Sequence, residues 1–219
     1  MAIVAWCSIA TGRVRGCLPS VGRVGNSGWV MLRILLKFNA LVASSWTLSW
    51  CLYRLHGIQL IGPPDEAVWY FAYGANMHDS AFRERRGMRP LEWRSGRVRG
   101  HRLRFNLEGR PRGQAAPANL SADDPRAEVW GVLYKITRRD LVRLDATEGV
   151  PWWRYRPLWL DVEDSSGNPV RAVTYIAQGN EADGNPSLRY LTLLREGARA
   201  HGLPEHYVRF LEQVRCSRL

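Results

Sequence analysis

All 20 acidic residues of this 219-residue chain lie after residue 64. Residues 1–64 contain six Lys and Arg residues and no Asp or Glu, whereas residues 65–219 balance 20 acids against 25 bases. The two stretches therefore follow different compositional rules. Gly62, Pro63 and Pro64 interrupt secondary structure at their junction. We predict an N-terminal extension over residues 1–64 and one domain over residues 65–219, which is an ordinary length for a single domain.

Three interpretations of the extension are open. The first is a disordered segment, or one that follows from a start codon assigned too far upstream. The second is a targeting sequence, since transit peptides are also rich in Arg and poor in acids. The third is a membrane anchor in the apolar stretch 29–53, whose uncharged run 38–53 has 16 residues. A spanning helix needs ~20 residues. We favour the first interpretation and do not expect membrane contact.

The cysteines indicate a reducing compartment. Residues 65–219 contain Cys216 alone, so this domain cannot form a disulfide framework. No pair of cysteines has zinc-finger or CxxC spacing, and the five histidines show no HxxxH pattern. We therefore expect a cytoplasmic domain with no metal site, with targeting or anchoring through residues 29–53 as the alternative.

The hydrophobic pattern of residues 65–219 predicts both strands and helices. Continuous apolar runs at 68–73 and 127–136 are typical of buried strands, and further strands are predicted at 101–107, 153–162 and 170–177. Helices are predicted at 76–86, 137–148, 187–201 and 204–215. Most consecutive strands are joined by turns or loops, which favours antiparallel pairing. We predict an α+β fold with a curled, mainly antiparallel sheet or small β-barrel and flanking helices.

The exit of the first strand is a candidate binding site. Gly74 leads from the strand towards a helix for which Asn76 is the predicted N-cap, with Asp79 as its capping-box-like partner. Such a turn points successive backbone N–H groups into one small space, where they bind a carboxylate or an oxyanion. Turns of this kind are also common structural features, so the pattern alone leaves both interpretations open.

Glu148 is a candidate base. It precedes Gly149 at the predicted C-terminal end of a helix, where the helix dipole disfavours an anion. Trp152 and Trp153 follow shortly afterwards and would desolvate the side chain. Both effects disfavour the charged carboxylate, as a base that accepts protons at neutral pH requires. The alternative is a solvated glutamate at a helix end, and the local context alone favours it.

A basic run extends from Arg83 to Arg112. It contains eleven arginines and three glutamates, with Trp93 and Phe105 interspersed. Such a density is typical of a nucleic-acid surface, and a non-catalytic nucleic-acid-binding protein is therefore one alternative function. The other interpretation is a solvated strand face. No RNP, KH or helix-turn-helix pattern accompanies the run, so we expect no nucleic-acid partner.

Five segments together resemble the γ-glutamylcyclotransferase family. Residues 70–76, YFAYGAN, are similar to its YFAYGSN-type opening strand and loop. In the family's order there follow VWGVLY at 129–134, LDATEGV at 144–150, the tyrosines Tyr155 and Tyr175, and PSLRY at 186–190. The order and spacing of these motifs make the resemblance specific over residues 69–211.

The resemblance implies a small β-barrel with flanking helices and an enzyme of the lyase or acyl-transfer type. Such an enzyme cyclises the γ-glutamyl group of a γ-glutamyl amino acid or amine to 5-oxoproline and releases the free amine. By the motif matches Glu148 is the catalytic residue. The matched substrate-binding residues are Tyr70, Phe71, Ala72, Tyr73, Gly74, Ala75, Asn76, Tyr155 and Tyr190. A small γ-glutamyl compound is the implied partner, no cofactor is implied, and a homodimer is left open.

Two positions bear on selectivity within this resemblance. Ala75 replaces the usual serine of the family, which matters only if that hydroxyl, and not the backbone N–H, contacts substrate. Asn76 stands where glutathione-specific relatives carry leucine, which argues against glutathione as the direct substrate. A same-fold alternative is an enzyme that acts on γ-glutamyl amines or on a biosynthetic γ-glutamyl intermediate.

We predict that residues 1–64 are dispensable for folding and turnover. A shortened chain that begins at Asp65 keeps every motif segment, so its thermal midpoint and kcat should match those of the full chain. Thermal denaturation and a turnover assay on both chains check this. A shortened chain that is insoluble or inactive beside an active full chain would show that the domain boundary is wrong.

Overall fold

The computed structural model describes residues 63–109, 116–150 and 154–217. The strands are β1 (Ala67–Ala72), β2 (Glu92–Arg99), β3 (Arg102–Arg104), β4 (Asn119–Ser121), β5 (Glu128–Thr137), β6 (Arg156–Asp164) and β7 (Pro169–Ile176). The α-helices are α1 (Arg138–Glu148), α2 (Leu188–Ala200) and α3 (Glu205–Gln213). A 3-10 turn spans Ala75–Met77, and a π-helical turn spans Ser80–Arg85. The candidate anchor at 38–53 lies outside the described residues, and none of the helices within them is long and apolar enough to span a membrane.

Five strands close into a barrel in the order β1-β5-β2-β6-β7. β5 is antiparallel to both β1 and β2, and β6 is antiparallel to β2 and β7. The barrel closes where β1 pairs with β7 in parallel, with Tyr70 opposite Val173. β3 and β4 form a separate two-stranded sheet. The predicted α+β fold, with a mainly antiparallel small barrel and flanking helices, is confirmed.

β2 is a strand that the hydrophobic pattern did not predict. Its sequence EWRSGRVR is dominated by polar residues, and only Gly96 and Val98 are buried. The strand forms because the apolar β5 pairs with it along its whole length. Its arginines point to acidic neighbours: Arg94 pairs with Asp164 at 3.1 Å. Tertiary pairing therefore outweighs the weak strand pattern of the local sequence.

The strand predicted at 101–107 is shorter than expected. β3 ends at Arg104 because the next two carbonyl groups are hydrogen-bonded to a loop instead of a strand. Gly184 N–H donates to the carbonyl oxygen of Phe105 at 2.8 Å, and Asn180 N–H donates to that of Asn106 at 2.8 Å. These bonds hold residues 180–184 against the sheet.

The start of the first predicted helix is wrong, and Asn76 is not its N-cap. Asn76 lies inside the 3-10 turn, for which Gly74 is the N-cap residue. The π-helical turn that follows has Asp79 as its N-cap residue, without a side-chain capping bond. The Asn76 Nδ2 group donates across the fold to Tyr70 and Glu148, and Oδ1, the atom that would cap a backbone N–H, has no hydrogen-bond partner within the described residues.

Both ends of α1 and the start of α2 lie within one residue of their predicted positions. Thr137 caps α1 by accepting a hydrogen bond from the Asp140 N–H at 3.1 Å, and α1 ends at Gly149, whose φ is +74°. Only glycine adopts that left-handed conformation without strain. Ser187 caps α2 by accepting a bond from the Tyr190 N–H at 3.2 Å. These signals fix Glu148 as the last residue of α1 and place Tyr190 in the first turn of α2.

α2 packs closely against the 3-10 turn at Gly197. A Cβ atom at this position would lie 2.8 Å from the carbonyl carbon of Met77 and 2.9 Å from its Cβ. Met77 is fully buried, so neither it nor the turn has room to move. The small size of Gly197 therefore lets α2 approach the loop that follows β1.

We predict that Gly197→Ala destabilises the fold. In an exposed helix this change stabilises, because alanine has the higher helix propensity. Here the added methyl group would overpack the contact with Met77, which costs about 1–3 kcal/mol in free energy of unfolding. Urea denaturation of both proteins measures the difference. Glu196→Ala, at the exposed neighbouring position, is the control and should change that free energy by less than about 0.5 kcal/mol. A Gly197→Ala protein as stable as the wild type would contradict the tight contact.

Candidate active site

A cavity of about 250 Å³ opens where β1, α1 and α2 come together. It is lined by most of the residues that the motifs had marked: Tyr70, Tyr73, Gly74, Ala75, Asn76, Glu148, Tyr155 and Tyr190. Two of the marked residues do not line it. Phe71 and Ala72 are buried in the barrel core, where the Phe71 ring lies against Gly131. The sequence motif YFAYGAN thus combines core residues with cavity residues.

Glu148 is held at the wall of this cavity by two donors. Asn76 Nδ2 donates to Glu148 Oε1 at 2.9 Å, and Arg86 Nη2 lies 3.0 Å from the same oxygen. The Glu148 side chain is 12% exposed, so it is not the freely solvated glutamate that the local context had favoured. Trp152 and Trp153, which were expected to desolvate it, lie outside the described residues.

Asn76 connects Glu148 to the first strand. Its Nδ2 also donates to the hydroxyl oxygen of Tyr70 at 2.8 Å. Burial, with the nearby charge of Glu148, raises the pKa of Tyr70 far above the usual range of a phenol, so Tyr70 stays neutral and keeps its proton. The buried Oδ1 of Asn76 has no hydrogen-bond partner in the described part of the chain. The amide is therefore oriented by Glu148 and Tyr70 and retains an unused acceptor.

Tyr190, in the first turn of α2, also lines the cavity. Its hydroxyl oxygen accepts a hydrogen bond from the Ala118 N–H at 3.0 Å. Burial raises the pKa of Tyr190 to about 12, and hydrogen bonds from the backbone of Ala118 and Ala75 offset part of this rise. Tyr190 is therefore a neutral phenol at physiological pH, with its oxygen held by the backbone and its proton available for donation.

Gly74 allows this arrangement by its size. A Cβ atom at residue 74 would lie 3.0 Å from the Tyr190 hydroxyl oxygen. The loop after β1 thus passes directly beside the phenol because residue 74 has no side chain. This contact gives a physical reason for glycine at residue 74, which the strand–glycine–helix pattern alone did not provide.

Two more tyrosines join the barrel to α1. The Tyr73 hydroxyl donates to the backbone oxygen of Tyr175 on β7 at 2.5 Å. The Tyr175 hydroxyl in turn donates to Asp145, a fully buried residue of α1.

Tyr155, half-buried at the cavity wall, has its pKa raised above the usual range by burial, with the neighbouring Tyr190 contributing. Neutral phenols thus form part of the cavity wall.

Several cavity residues were not predicted as site residues. They are Arg85, Arg86, Pro117, Ala118, Thr147, Arg154, Tyr175 and Leu193. Arg86 belongs to the basic run, and nothing in its sequence context separates it from the other arginines there. Tyr175 was matched to the family's strand tyrosine but was not assigned to the substrate site. Only the tertiary contacts identify these residues as part of the cavity.

The cavity carries excess positive charge. Arg85, Arg86 and Arg154 line it, and Glu148 is its one acidic residue. Arg86 pairs with Glu148, whereas Arg85 and Arg154 are exposed and have no ion pair within residues 63–109, 116–150 and 154–217. An anionic ligand therefore suits this site. No cluster of three or more His, Cys, Asp or Glu side chains that could hold a metal ion occurs in the same residues.

Most of the described arginines of the basic run form ion pairs with acidic side chains. Arg97 contacts both Glu128 and Glu163, and Arg104 contacts both Asp123 and Asp183. The other arginines of the run with an acidic partner are Arg83, Arg86, Arg94, Arg99 and Arg102. Arg110 and Arg112 lie outside the described residues. All five arginines of β2 and β3 are therefore paired with carboxylates.

Comparison with known proteins gives consistent results. Residues 128–211 match the model of the AIG2-like family. The chain is 27% identical to human γ-glutamylcyclotransferase over 155 residues, which cover 70% of this chain and 81% of the human protein. It is 34% identical to the γ-glutamyl cyclotransferase gliK of Claviceps purpurea over 148 residues, which cover 63% of this chain and 65% of that protein.

Solved structures agree with the sequence comparison. A structure described as a γ-glutamyl cyclotransferase superposes with a TM-score of 0.62 at 25% identity, over 70% of this chain and 91% of that one. The fold, the AIG2-like family model and the relatives together support the assignment of this chain to the γ-glutamylcyclotransferase family.

Proposed function

We propose that this protein is a γ-glutamylcyclotransferase that forms 5-oxoproline from a γ-glutamyl amino acid and releases the free amino acid. The observation that carries the proposal is the position of Glu148, whose carboxylate is held at the wall of a small cavity formed by the family's motif segments. The names of the relatives in the comparison support the same activity.

The reaction needs one group that accepts and returns a proton. From its neutral form, the substrate's α-amine attacks its own γ-carbonyl carbon, and the new C–N bond closes a five-membered ring. One amine proton passes to Glu148 as this bond forms. The same proton passes from Glu148 to the departing nitrogen as the original amide bond breaks. One carboxyl group between the two nitrogens thus serves as general base and then as general acid.

Conformational restriction supplies a large part of the rate enhancement. The attack is intramolecular, and well-oriented reactions of this kind reach effective molarities of ~10⁵–10⁸ M. The cavity has a volume of about 250 Å³, and a γ-glutamyl chain bound in it beside Glu148 has fewer conformers available than in water. Tyr70, Tyr155 and Tyr190 provide neutral phenol groups at its wall, which hydrogen-bond the bound substrate without adding charge.

Negative charge develops on the γ-carbonyl oxygen as the amine attacks, and hydrogen-bond donors are needed to stabilise it. Tyr190 is suited to this because its own oxygen already accepts a backbone N–H bond from Ala118, which leaves its hydroxyl proton free to donate. Gly74, whose backbone also lines the cavity, lies directly beside the Tyr190 hydroxyl. Donors that are fixed before the reaction stabilise an oxyanion without reorganisation during it.

Glu148→Gln should abolish most turnover. Glutamine keeps the size of the side chain but cannot accept a proton, so kcat should fall by about 10²–10⁴-fold. Formation of 5-oxoproline from γ-glutamyl amino acids, followed by mass spectrometry, measures the effect. Glu84→Gln, on the exposed side of the π-helical turn, is the matched control and should keep wild-type kcat. A folded Glu148→Gln protein with near-native turnover would disprove the assignment of the base.

The charge of the cavity favours γ-glutamyl amino acids over γ-glutamyl amines. The leaving group of a γ-glutamyl amino acid carries a second carboxylate, whereas that of a simple amine is uncharged. Arg85 and Arg154 contribute two positive charges beyond the Arg86–Glu148 pair, and both are exposed at the cavity. They can therefore bind a leaving-group carboxylate that extends towards solvent.

We predict that Arg154→Gln reduces the preference for γ-glutamyl amino acids over γ-glutamyl amines. γ-Glutamylalanine and γ-glutamylethylamine differ only by the leaving-group carboxylate, so the ratio of their kcat/KM values reports its recognition. The wild type should prefer γ-glutamylalanine, and Arg154→Gln should reduce the ratio by about fivefold, as expected for a solvent-accessible ion pair. Arg143→Gln, an exposed arginine of α1 outside the cavity, should leave the ratio unchanged. A wild type that prefers the ethylamine compound would contradict the charge argument.

A further inference from the structure

Both hydrogen-bonding partners of Glu148 contact the same carboxylate oxygen. Asn76 Nδ2 and Arg86 Nη2 approach Oε1 at 2.9 and 3.0 Å, respectively. A carboxylate oxygen has about two lone-pair directions, so these donors fill the capacity of Oε1. Within the described part of the chain no donor reaches Oε2. The two oxygens of Glu148 are thus made chemically unequal by their surroundings.

Arg86 is itself held in place by a second contact. Its Nη1 donates to Thr147 Oγ1, and the Thr147 hydroxyl donates to the Leu144 carbonyl oxygen at 2.9 Å. The guanidinium therefore contacts two successive residues in the last turn of α1. The Arg86 side chain is 21% exposed, which limits competition from water for both contacts. A lysine, with one nitrogen, does not reproduce this two-point geometry.

The backbone on either side of Arg86 is also anchored. Arg86 follows the π-helical turn, which buries Phe82, and precedes Gly87, which has a φ of +66°. Beyond that glycine, Met88 is buried and its N–H donates to the Phe82 carbonyl oxygen at 3.2 Å. The guanidinium is thus carried by a short segment that is fixed at both ends, and not by a free loop.

We infer that Arg86 is a positioning residue for Glu148, and that Oε2 is the oxygen that transfers the proton. This inference rests on the proposed function. With both lone-pair directions of Oε1 occupied by Asn76 and Arg86, the amine proton is accepted at Oε2 and returned from Oε2 to the departing nitrogen. The fixed Oε1 also stops the carboxylate from rotating between the two transfers, so the same atom serves both.

Steady-state kinetics of Arg86→Ala test the inference. Loss of the guanidinium frees the carboxylate to rotate, and misplacement of a reacting group by about 1 Å costs about 10²-fold in rate. We expect kcat to fall by about that factor, with KM for γ-glutamylalanine within about twofold of wild type, because the residue holds the base and not the substrate. Arg83→Ala, from the same π-helical turn but paired with exposed Asp79, is the matched control and should keep wild-type kcat.

Chemical rescue separates positioning from a general structural role. Millimolar guanidinium chloride should restore part of the lost kcat in Arg86→Ala, but none in Glu148→Gln, which has no base to position. Arg86→Lys provides a second variant in case Arg86→Ala does not fold. Lysine can contact Glu148 or Thr147 but not both, so the kcat of Arg86→Lys should lie between those of wild type and Arg86→Ala. If Arg86→Ala does not fold, the kcat of Arg86→Lys should still be below that of wild type, by up to about 10²-fold.

The outcomes distinguish this inference from the function on which it rests. An active wild type whose Arg86→Ala or Arg86→Lys variant keeps full kcat overturns the positioning role and leaves the proposed function intact. A loss of kcat/KM that comes entirely from a higher KM also overturns it, since Arg86 would then bind substrate. A wild type that forms no 5-oxoproline from any γ-glutamyl compound overturns the proposed function, and the inference with it.

Discussion

The position of β1 at the seam of the barrel is the constraint on which the site depends. β1 pairs with β5 on one edge and with β7 on the other, so this one short strand closes the barrel. Its apolar residues are buried and its path is fixed on both sides, which leaves little freedom for the loop that follows it. Gly74, Ala75 and Asn76 therefore reach the cavity from a rigid support, as a preorganised site requires.

Two helix ends, the C-terminal end of α1 and the N-terminal end of α2, bring the other site residues to that loop. α1 ends at the left-handed Gly149, which places Glu148 at the cavity, and α2 begins at Ser187, which places Tyr190 there. The close contact between Gly197 and Met77 holds α2 against the loop. Three elements that are distant in sequence thus meet within hydrogen-bonding distance, and each is fixed by packing outside the cavity.

Charge is distributed in two different ways within the basic run. On the strand face, Arg97 and Arg99 are paired with Glu128 and Glu163, whose side chains are 30% and 32% exposed. At the cavity, Arg86 pairs with a largely buried glutamate, where the same interaction is screened less by water. The composition of the run is uniform, yet its members serve surface solubility in one place and the orientation of a candidate base in another.

Short-range sequence patterns were sufficient to predict the strands with continuous apolar runs, both ends of α1, and the motif residues of the family. Those features depend on short-range patterns: Thr137 and Gly149 bound α1 through contacts within a few residues. The polar strand β2, the role of Asn76 and the contribution of Arg86 were decided only by the tertiary structure. The Asn76–Glu148 bond joins residues 72 positions apart, and β2 is a strand because β5 lies beside it. The local sequence does not indicate such a partner, because a hydrogen bond between distant segments depends on how the whole barrel closes.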